Sequence, residues 1–204
     1  MDLMTEVLPQ NQENLWIFSV LTVFFDWIFL LSGVQRILNM LVSSSYVGIL
    51  SPLWKNGSTR YDAARQPEFQ ESGLLRELSA NIEATVSDPD ELASYKLAIN
   101  HLIYQLGLAL SPGSQNLDIV DAFVWHFVAP ESFMLLLKQK RQAAIVIFVH
   151  SLIVFHALNS NHWLHGWDIL LLSRAWTMLD DEHRLWIQWP IEEIGWAPPP
   201  DNIS

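Results

Sequence analysis

The hydrophobic pattern of the chain centres on a nearly uncharged run from Ala143 to Leu158, AAIVIFVHSLIVFHAL. A helix formed by this run has apolar residues on every side, which is the pattern of a helix buried all round. Asn159-Ser160-Asn161 interrupts the pattern, and a tryptophan-rich helix is predicted from His162 to about Met178. We predict that these two helices hold the ligand or the chemistry of the protein.

The region before this pair predicts helices with clear starts. Apolar residues at positions 74, 75, 78, 82 and 86 have helical spacing, which predicts a helix over Leu74–Val86. The sequence SDPDE at 87–91 then begins a helix that runs to about Leu110, because it joins a capping side chain, a proline in the first turn and acids near the positive end of the helix dipole. A short helix is predicted over Asp118–Phe127, and the next runs from Pro130 towards the central run.

The remaining segments complete the predicted architecture. Residues 1–13 are predicted to be a flexible lead-in, a buried helix begins at Leu15, residues 43–71 form a long loop, and 198–204 form a tail. After Met178, the acids at 180–182 begin a last short helix that Pro190 ends. No strand-like alternation occurs, so we predict an all-α fold, a single helical domain of about eight helices over residues 14–197.

Two apolar stretches raise the question of a membrane span. Leu15–Val34 has the required length, but Asp26 lies near its centre, where a carboxylate costs about 2.5–3.5 kcal/mol on the insertion scale. The run Ala143–Leu158 is shorter than the roughly 20 residues that a spanning helix needs, and it contains two histidines. Buried helices explain both stretches better, so no membrane span is predicted.

Composition limits the classes of partner. Half of the residues are hydrophobic and only 16% are charged, so much of the chain is buried in its own core, in an oligomer or around an apolar ligand. The formal charge is 11 − 22 = −11, which argues against direct nucleic-acid binding and against an anionic membrane surface. The sequence has no cysteine, which excludes thiolate metal sites within it and is typical of an intracellular protein, so a cytoplasmic or nuclear location is predicted.

Histidines and carboxylates supply the candidate chemistry. The candidates for acid–base catalysis are Asp26, His150, His156 and Asp168. A nucleophilic triad further needs a serine, Ser151 or Ser173, beside His156 and Asp168, which the sequence does not establish. His150 and His156 are interpreted either as core histidines with one satisfied hydrogen bond or as polar anchors for a buried ligand.

Two of these acids have competing interpretations. Asp26 is expected to pair with a basic group such as Arg36 or Arg174 rather than to act as an acid. His162 and His165, three residues apart, could share a helix face and bind a metal together with Asp168. Tryptophans lie between these histidines and no HExxH pattern exists, so neither a metal nor another cofactor is predicted.

Aromatic residues are the strongest compositional signal. Seven of the ten tryptophans lie from Trp125 onward, and so much rigid aromatic surface beside few polar groups suits a pocket for an apolar ligand. The residues predicted to line it are Trp125, Phe127, Phe148, His150, Phe155, His156, Trp163, Trp167, Trp176 and Trp196.

Several segments together resemble one protein family. The stretch FVAPESFMLLLKQKRQAAIVIFVHSLIVFHAL, the block HWLHGW with the following helix, and WPIEEIGW, together with ENLWIFSVLTVFFDWIFLLSGVQRIL upstream, resemble the C-terminal effector domain of fungal zinc-cluster transcription factors, the sterol uptake control proteins in particular. The likeness covers most of residues 13–197. Ser32-Gly33-Val34 departs from the usual Arg-Gly-Val, and the cysteines of the zinc cluster are absent.

The resemblance implies an all-α fold, a hydrophobic pocket, dimerisation and a sterol such as ergosterol as the regulating ligand. It also implies that the segment around Gly195 and Trp196 lies near the ligand and couples its binding to activity, so Gly195 joins the predicted ligand-binding residues. The expected function is therefore a transcription-regulator-like effector domain that binds a sterol-like ligand without its own DNA-binding module. The expected partners are this ligand and a second copy or a full-length relative.

Two other hypotheses remain open. The chain could be a free-standing enzyme, of cyclase or isomerase type, that acts on a terpenoid or polyketide of fungal secondary metabolism in the same pocket. It could also be an interaction protein that dimerises with full-length relatives through its apolar helices. Binding of an unchanged ligand would support the effector domain, and turnover of a substrate would support the enzyme. The absence of both would favour the interaction protein.

Overall fold

The computed structural model describes residues 73–110, 117, 121–122, 125–126, 129–162 and 164–199, and the regular elements within these ranges are all helical. A 3₁₀ turn at Gly73–Leu75 leads into α1 (Arg76–Thr85), and the later helices are α2 (Pro89–Leu110), α3 (Glu131–Lys138), α4 (Gln142–Ala157), α5 (Trp167–Met178), α6 (Asp181–Leu185) and α7 (Gln188–Ile194). Residues 121–122 and 125–126 are helical as well. The predicted all-α class is confirmed, whereas the lead-in, the helix from Leu15, the loop at 43–71 and most of the tail lie outside the described residues.

Helix α4 forms the centre of the described fold. Every residue from Ala143 to Phe155 is buried, as the apolar pattern on all sides of this helix predicts. Helices α2, α3, α5, α6 and α7 all contact α4. A helix with no polar face is stable in water only when neighbours cover it completely, and these five helices supply that cover.

The predicted starts of α1 and α2 are confirmed. Leu75, Leu78 and Ile82 of the predicted apolar series are buried. At the start of α2, Oδ1 of Asp88 accepts hydrogen bonds from the backbone N–H groups of Asp90 at 2.9 Å and Glu91 at 3.1 Å. These bonds satisfy amides that have no partner inside the helix, which is why the SDPDE sequence begins a helix here.

The predicted continuity between α3 and α4 is wrong. Lys140 adopts the left-handed conformation with φ 58°, and the two helices meet at 107°. The N–H of Arg141 donates to the carbonyl of Leu136 at 3.1 Å and that of Lys140 to Leu137 at 2.9 Å, which is the bonding of a Schellman helix end. The left-handed position of a Schellman motif is usually a glycine. Because Lys140 occupies it here, the sequence contains no glycine that would have indicated the end of α3.

Within the described ranges, no single helix is both long and apolar enough to cross a membrane. The segments α3 and α4 reach the required length and hydropathy only when taken together, across their 107° bend.

Helices α4 and α5 form an antiparallel hairpin. At its open end the side-chain amide of Gln142 donates to the carbonyl of Met178 at 3.0 Å and accepts from the N–H of Asp180 at 3.0 Å. The start of α4 is thereby fixed to the end of α5. Asp180 in turn caps α6, because its Oδ1 accepts from the backbone N–H of His183 at 2.9 Å.

Two predicted helix boundaries near the C-terminus are wrong. Helix α5 begins at Trp167 instead of His162, after a turn that includes Gly166 with φ 78°. Pro190 does not end a helix but lies in the first turn of α7. The first turn needs no intrahelical N–H donors, so proline is tolerated there as well as after a helix, and the sequence alone did not distinguish the two positions.

Candidate functional site

The described structure joins His156 and Asp168, two of the predicted catalytic residues, at the closed end of the α4–α5 hairpin. Nδ1 of His156 lies 2.7 Å from Oδ2 of Asp168. The Asp168 side chain is 0% exposed, whereas 37% of the His156 side chain is exposed. Since a carboxylate only accepts hydrogen bonds, Nδ1 is the donor, and the second ring nitrogen, Nε2, points away from Asp168.

A nine-residue turn brings the two side chains together. His156 lies in the last turn of α4, and Asp168 is the second residue of α5. Between them, Asn159 closes the turn: its Oδ1 accepts from the N–H of Gly166 at 2.9 Å, and its carbonyl accepts from Nδ1 of His165 at 3.1 Å. The left-handed conformation of Gly166 then directs the chain back along α4.

Two features stabilise the buried carboxylate of Asp168. The imidazole of His156 donates to Oδ2, and the first turn of α5 presents the positive end of its dipole to an acid at this position. The bond from His156 matters most, because an ionised carboxylate without a partner is very costly to bury. The second oxygen, Oδ1, is buried and has no hydrogen-bond partner among the described residues. A molecule that reaches the pair therefore meets the partly exposed ring of His156, and the carboxylate lies behind it.

The structure does not bring a serine nucleophile or further metal ligands to the His156–Asp168 pair through Ser151, His162 or His165. The hydroxyl of Ser151 donates to the carbonyl of Phe148 at 2.6 Å, one turn earlier in α4, and so is directed to the helix backbone. His162 and His165 lie in the turn before α5, not on a shared helix face with Asp168. In the part of the chain that the structure describes, no group of three or more His, Asp or Glu residues is arranged to hold a metal ion.

His150 lies in the middle of α4 beneath the C-terminal helix. Its Nδ1 donates to the carbonyl of Val146 at 2.8 Å, and its ring lies 5.7 Å from that of Trp189 on α7. Burial lowers the pKa of His150 to about 4, against a smaller opposing effect of the bond to Val146. The ring is therefore neutral at physiological pH and behaves as a core side chain with one satisfied nitrogen.

A second buried histidine lies within a cluster of aromatic side chains. The ring of His126 is 5.1 Å from Trp125, 6.0 Å from Phe148 and 5.9 Å from Phe155. Burial lowers the pKa of His126 to about 4, partly opposed by a backbone hydrogen bond with Ala122. Trp125 is itself completely buried and donates from Nε1 to the carbonyl of Ala98 on α2 at 2.9 Å.

The C-terminal segment is fixed to α5 by aromatic contacts. The rings of Trp176 and Trp196 lie 5.7 Å apart, and the guanidinium of Arg184 lies 4.9 Å from the centre of the Trp176 ring on the way to α7. Trp176, Trp189 and Trp196 are all partly buried. The segment from α6 to Trp196 therefore covers both central helices through side chains that retain some exposure.

Gly195 ends α7 and sets the position of Trp196. It has φ 71°, and the N–H of Trp196 donates to the carbonyl of Ile191 at 3.1 Å, which ends α7 with a Schellman motif.

The substitution Gly195→Ala should destabilise the protein through its backbone alone. A Cβ at this residue meets no atom within 4 Å, so the cost of Gly195→Ala is a backbone cost of about 1–2 kcal/mol. Urea unfolding should show that loss, with a smaller one for Gly195→Asn, because asparagine tolerates the left-handed region. Equal stability of all three proteins would contradict this account of the helix end.

The predicted ligand-binding residues separate into groups in the structure. Trp125, Phe148 and Phe155 surround His126 in the core, His150 lies under Trp189, and Trp176 contacts Trp196 beside Gly195. His156 pairs with Asp168, and the partly buried Trp167 is the first residue of α5. Asp26, Phe127 and Trp163 lie outside the described residues.

Three residues that the structure places at these sites were not among the predicted site residues. Trp189 covers His150, His126 joins the core aromatics, and Asn159 holds the turn that positions Asp168. His126 had a visible signal, since it follows Trp125 in an apolar segment. The sequence marked Asn159 only as part of the break at 159–161 and Trp189 only as part of the segment WPIEEIGW, because their roles depend on contacts between different helices or across a turn.

Comparison of the chain with models of protein families, with curated proteins and with solved structures gives no match.

Proposed function

We propose that this chain is a regulatory effector domain that binds an apolar, sterol-like molecule and responds to it through its C-terminal segment. The proposal depends on one observation: the C-terminal segment packs on both central helices. Trp189 contacts His150 of α4, and Trp196 contacts Trp176 of α5. In this proposal the ligand binds against α4 and α5 and displaces or rearranges the tryptophans. Regulation of transcription through a DNA-binding partner is part of the proposal, given the acidic charge of −11.

The C-terminal segment has the properties of a movable cover. Helices α6 and α7 have five and seven residues, and α6 contains no buried residue. Short elements with few buried side chains open locally at low free-energy cost. The core beneath is different, since α4 is buried along nearly its whole length. A ligand that inserts under the segment therefore replaces aromatic contacts without unfolding the centre.

The proposal is tested by ligand binding to the purified full chain. Ergosterol or cholestanol at 100 times its dissociation constant should stabilise the protein by about 2.7 kcal/mol, seen as a rise in melting temperature. Trp189→Ala should change the affinity, whereas Leu185→Ala, at a side chain that is 68% exposed on α6, is the matched control and should not. Absence of any stabilisation by sterols, terpenoids and fatty acids would reject the proposal.

A second candidate function is supported by the His156–Asp168 pair. A histidine whose Nδ1–H is held by a buried carboxylate has the arrangement of a general base, which suits a small enzyme acting on a terpenoid or polyketide. Native mass spectrometry of the protein with its bound molecule separates the two candidates. A ligand recovered unchanged supports the effector domain, whereas a converted substrate, with conversion lost in His156→Ala, supports the enzyme.

A further inference from the structure

We propose that the His156–Asp168 pair recognises a hydroxyl group on the apolar ligand, with Nε2 of His156 accepting the hydrogen bond. This inference rests on the proposed function, because it names the polar group that the bound molecule must carry. It assigns the site to the closed end of the α4–α5 hairpin, where an otherwise apolar helix ends in a polar, partly exposed side chain.

Asp168 fixes the tautomer of His156. Oδ2 of the buried Asp168 accepts from Nδ1 at 2.7 Å, so the proton of a neutral imidazole is on Nδ1. Nε2 is then unprotonated and acts as a hydrogen-bond acceptor. The turn closed by Asn159 holds Asp168 in position, and therefore the tautomer is set by the fold rather than by the solvent.

The other carboxylate oxygen of Asp168 has no partner within the described ranges. Oδ1 is buried and has no hydrogen-bond partner among the described residues, which is unusual for a carboxylate in a protein interior. Neither the carboxylate nor Nε2 of His156 has a proton to donate, and the acceptor that lies on the partly exposed side chain is Nε2. A hydroxyl group can donate to such a site, whereas a ketone or an ester can only accept and is excluded.

The ring of His156 is accessible from outside the protein. His156 is 37% exposed, so a molecule can reach its ring without unfolding α4. Apolar side chains are also exposed nearby in the sequence, since Ile169 and Leu170 follow Asp168 in α5 and are 46% and 38% exposed. A ligand with a long apolar body and a single terminal alcohol matches this combination of one polar pair and apolar side chains.

The test compares three molecules with one carbon skeleton: cholestanol, cholestanone and cholestane. The wild-type chain should bind cholestanol about tenfold to a hundredfold more tightly than cholestanone, because the alcohol donates to Nε2 whereas the ketone leaves two acceptors facing each other, at a cost of roughly 1–3 kcal/mol. Asp168→Asn should reverse the order, since the asparagine amide donates to Nδ1 and moves the imidazole proton to Nε2, which then donates to the ketone. His156→Phe should bind all three with similar affinity.

A measurement without ligand tests the same inference where a variant does not fold. Nitrogen-15 NMR of the wild-type histidine ring should show the proton on Nδ1 of His156, and a proton on Nε2 would overturn the inference. Equal binding of cholestanol, cholestanone and cholestane would also overturn it and leave the proposed function standing. If none of the three binds, this inference fails, and the proposed function fails with it only if terpenoids and fatty acids do not bind either.

Discussion

Trp125→Ala should lower the free energy of unfolding by about 3–5 kcal/mol, the usual cost of removing a large aromatic side chain from a packed core. Trp125 is 0% exposed, its ring lies 5.3 Å from that of Phe133, and its Nε1–H donates to the carbonyl of Ala98 at 2.9 Å. The indole therefore fills a site between α2 and α3 and also bonds to α2. The loss is a large part of the roughly 5–15 kcal/mol that stabilises a typical domain.

Urea unfolding followed by circular dichroism measures this effect. Trp125→Phe separates the two contributions, because it keeps most of the ring volume and removes the hydrogen bond, which is worth about 1 kcal/mol. Leu185→Ala is the control for a large apolar side chain outside the core, with an expected change within about 0.5 kcal/mol. If Trp125→Ala were as stable as Leu185→Ala, the assignment of Trp125 to the core would be wrong.

Acidification from pH 7 to pH 5 should lower the free energy of unfolding by roughly 3–4 kcal/mol through His126 and His150. Each has a pKa of about 4 in the folded chain against an ordinary value of 6.5, because burial disfavours the charged ring. Between those values the unfolded chain binds more protons than the folded one. The stabilisation is therefore complete above pH 6.5 and is lost progressively as the pH falls towards 4.

Variants of His126 and His150 test whether these two residues cause the pH dependence of the free energy of unfolding. His126→Phe and His150→Phe should each remove about half of the change between pH 7 and pH 5, measured by urea unfolding at both values. His162→Phe, in the exposed turn before α5, is the control for losing a histidine that is not buried. Asp180 acts outside this window, because hydrogen bonds from His183 lower its pKa below 3.8. A full pH dependence in both buried-site variants would contradict the assignment.

The fold was predictable wherever one segment carried its own signal. The cap at Asp88 began α2 as predicted, and the uncharged run from Ala143 predicted a helix buried all round. Prediction failed at Lys140 and Pro190, where the residue type allows more than one backbone state. At Lys140 the left-handed state accompanies the Schellman hydrogen bonds that end α3, and Pro190 lies in the first turn of α7, where no intrahelical N–H donor is needed.

The candidate site was predictable as a set of residues but not as an arrangement. The sequence identified His156 and Asp168 as candidates for acid–base catalysis. It also offered His150 as such a candidate, and a metal site that would use Asp168 with other histidines. Their 2.7 Å contact depends on the path of the turn between α4 and α5, which Asn159 and Gly166 fix. No periodicity along the chain encodes that path, so the partner of His156 was not determined by spacing.

The sequence by itself determined the helical class, the central buried helix and the supply of histidines, carboxylates and tryptophans around it. These follow from local periodicity and composition, which act within one segment. The tertiary structure alone decided that His156 pairs with Asp168, that Trp189 covers His150, and that His126 is buried among aromatic rings. The physical reason is that each of these contacts joins segments that are separate in the sequence, and only the packing of one helix on another brings them within bonding distance.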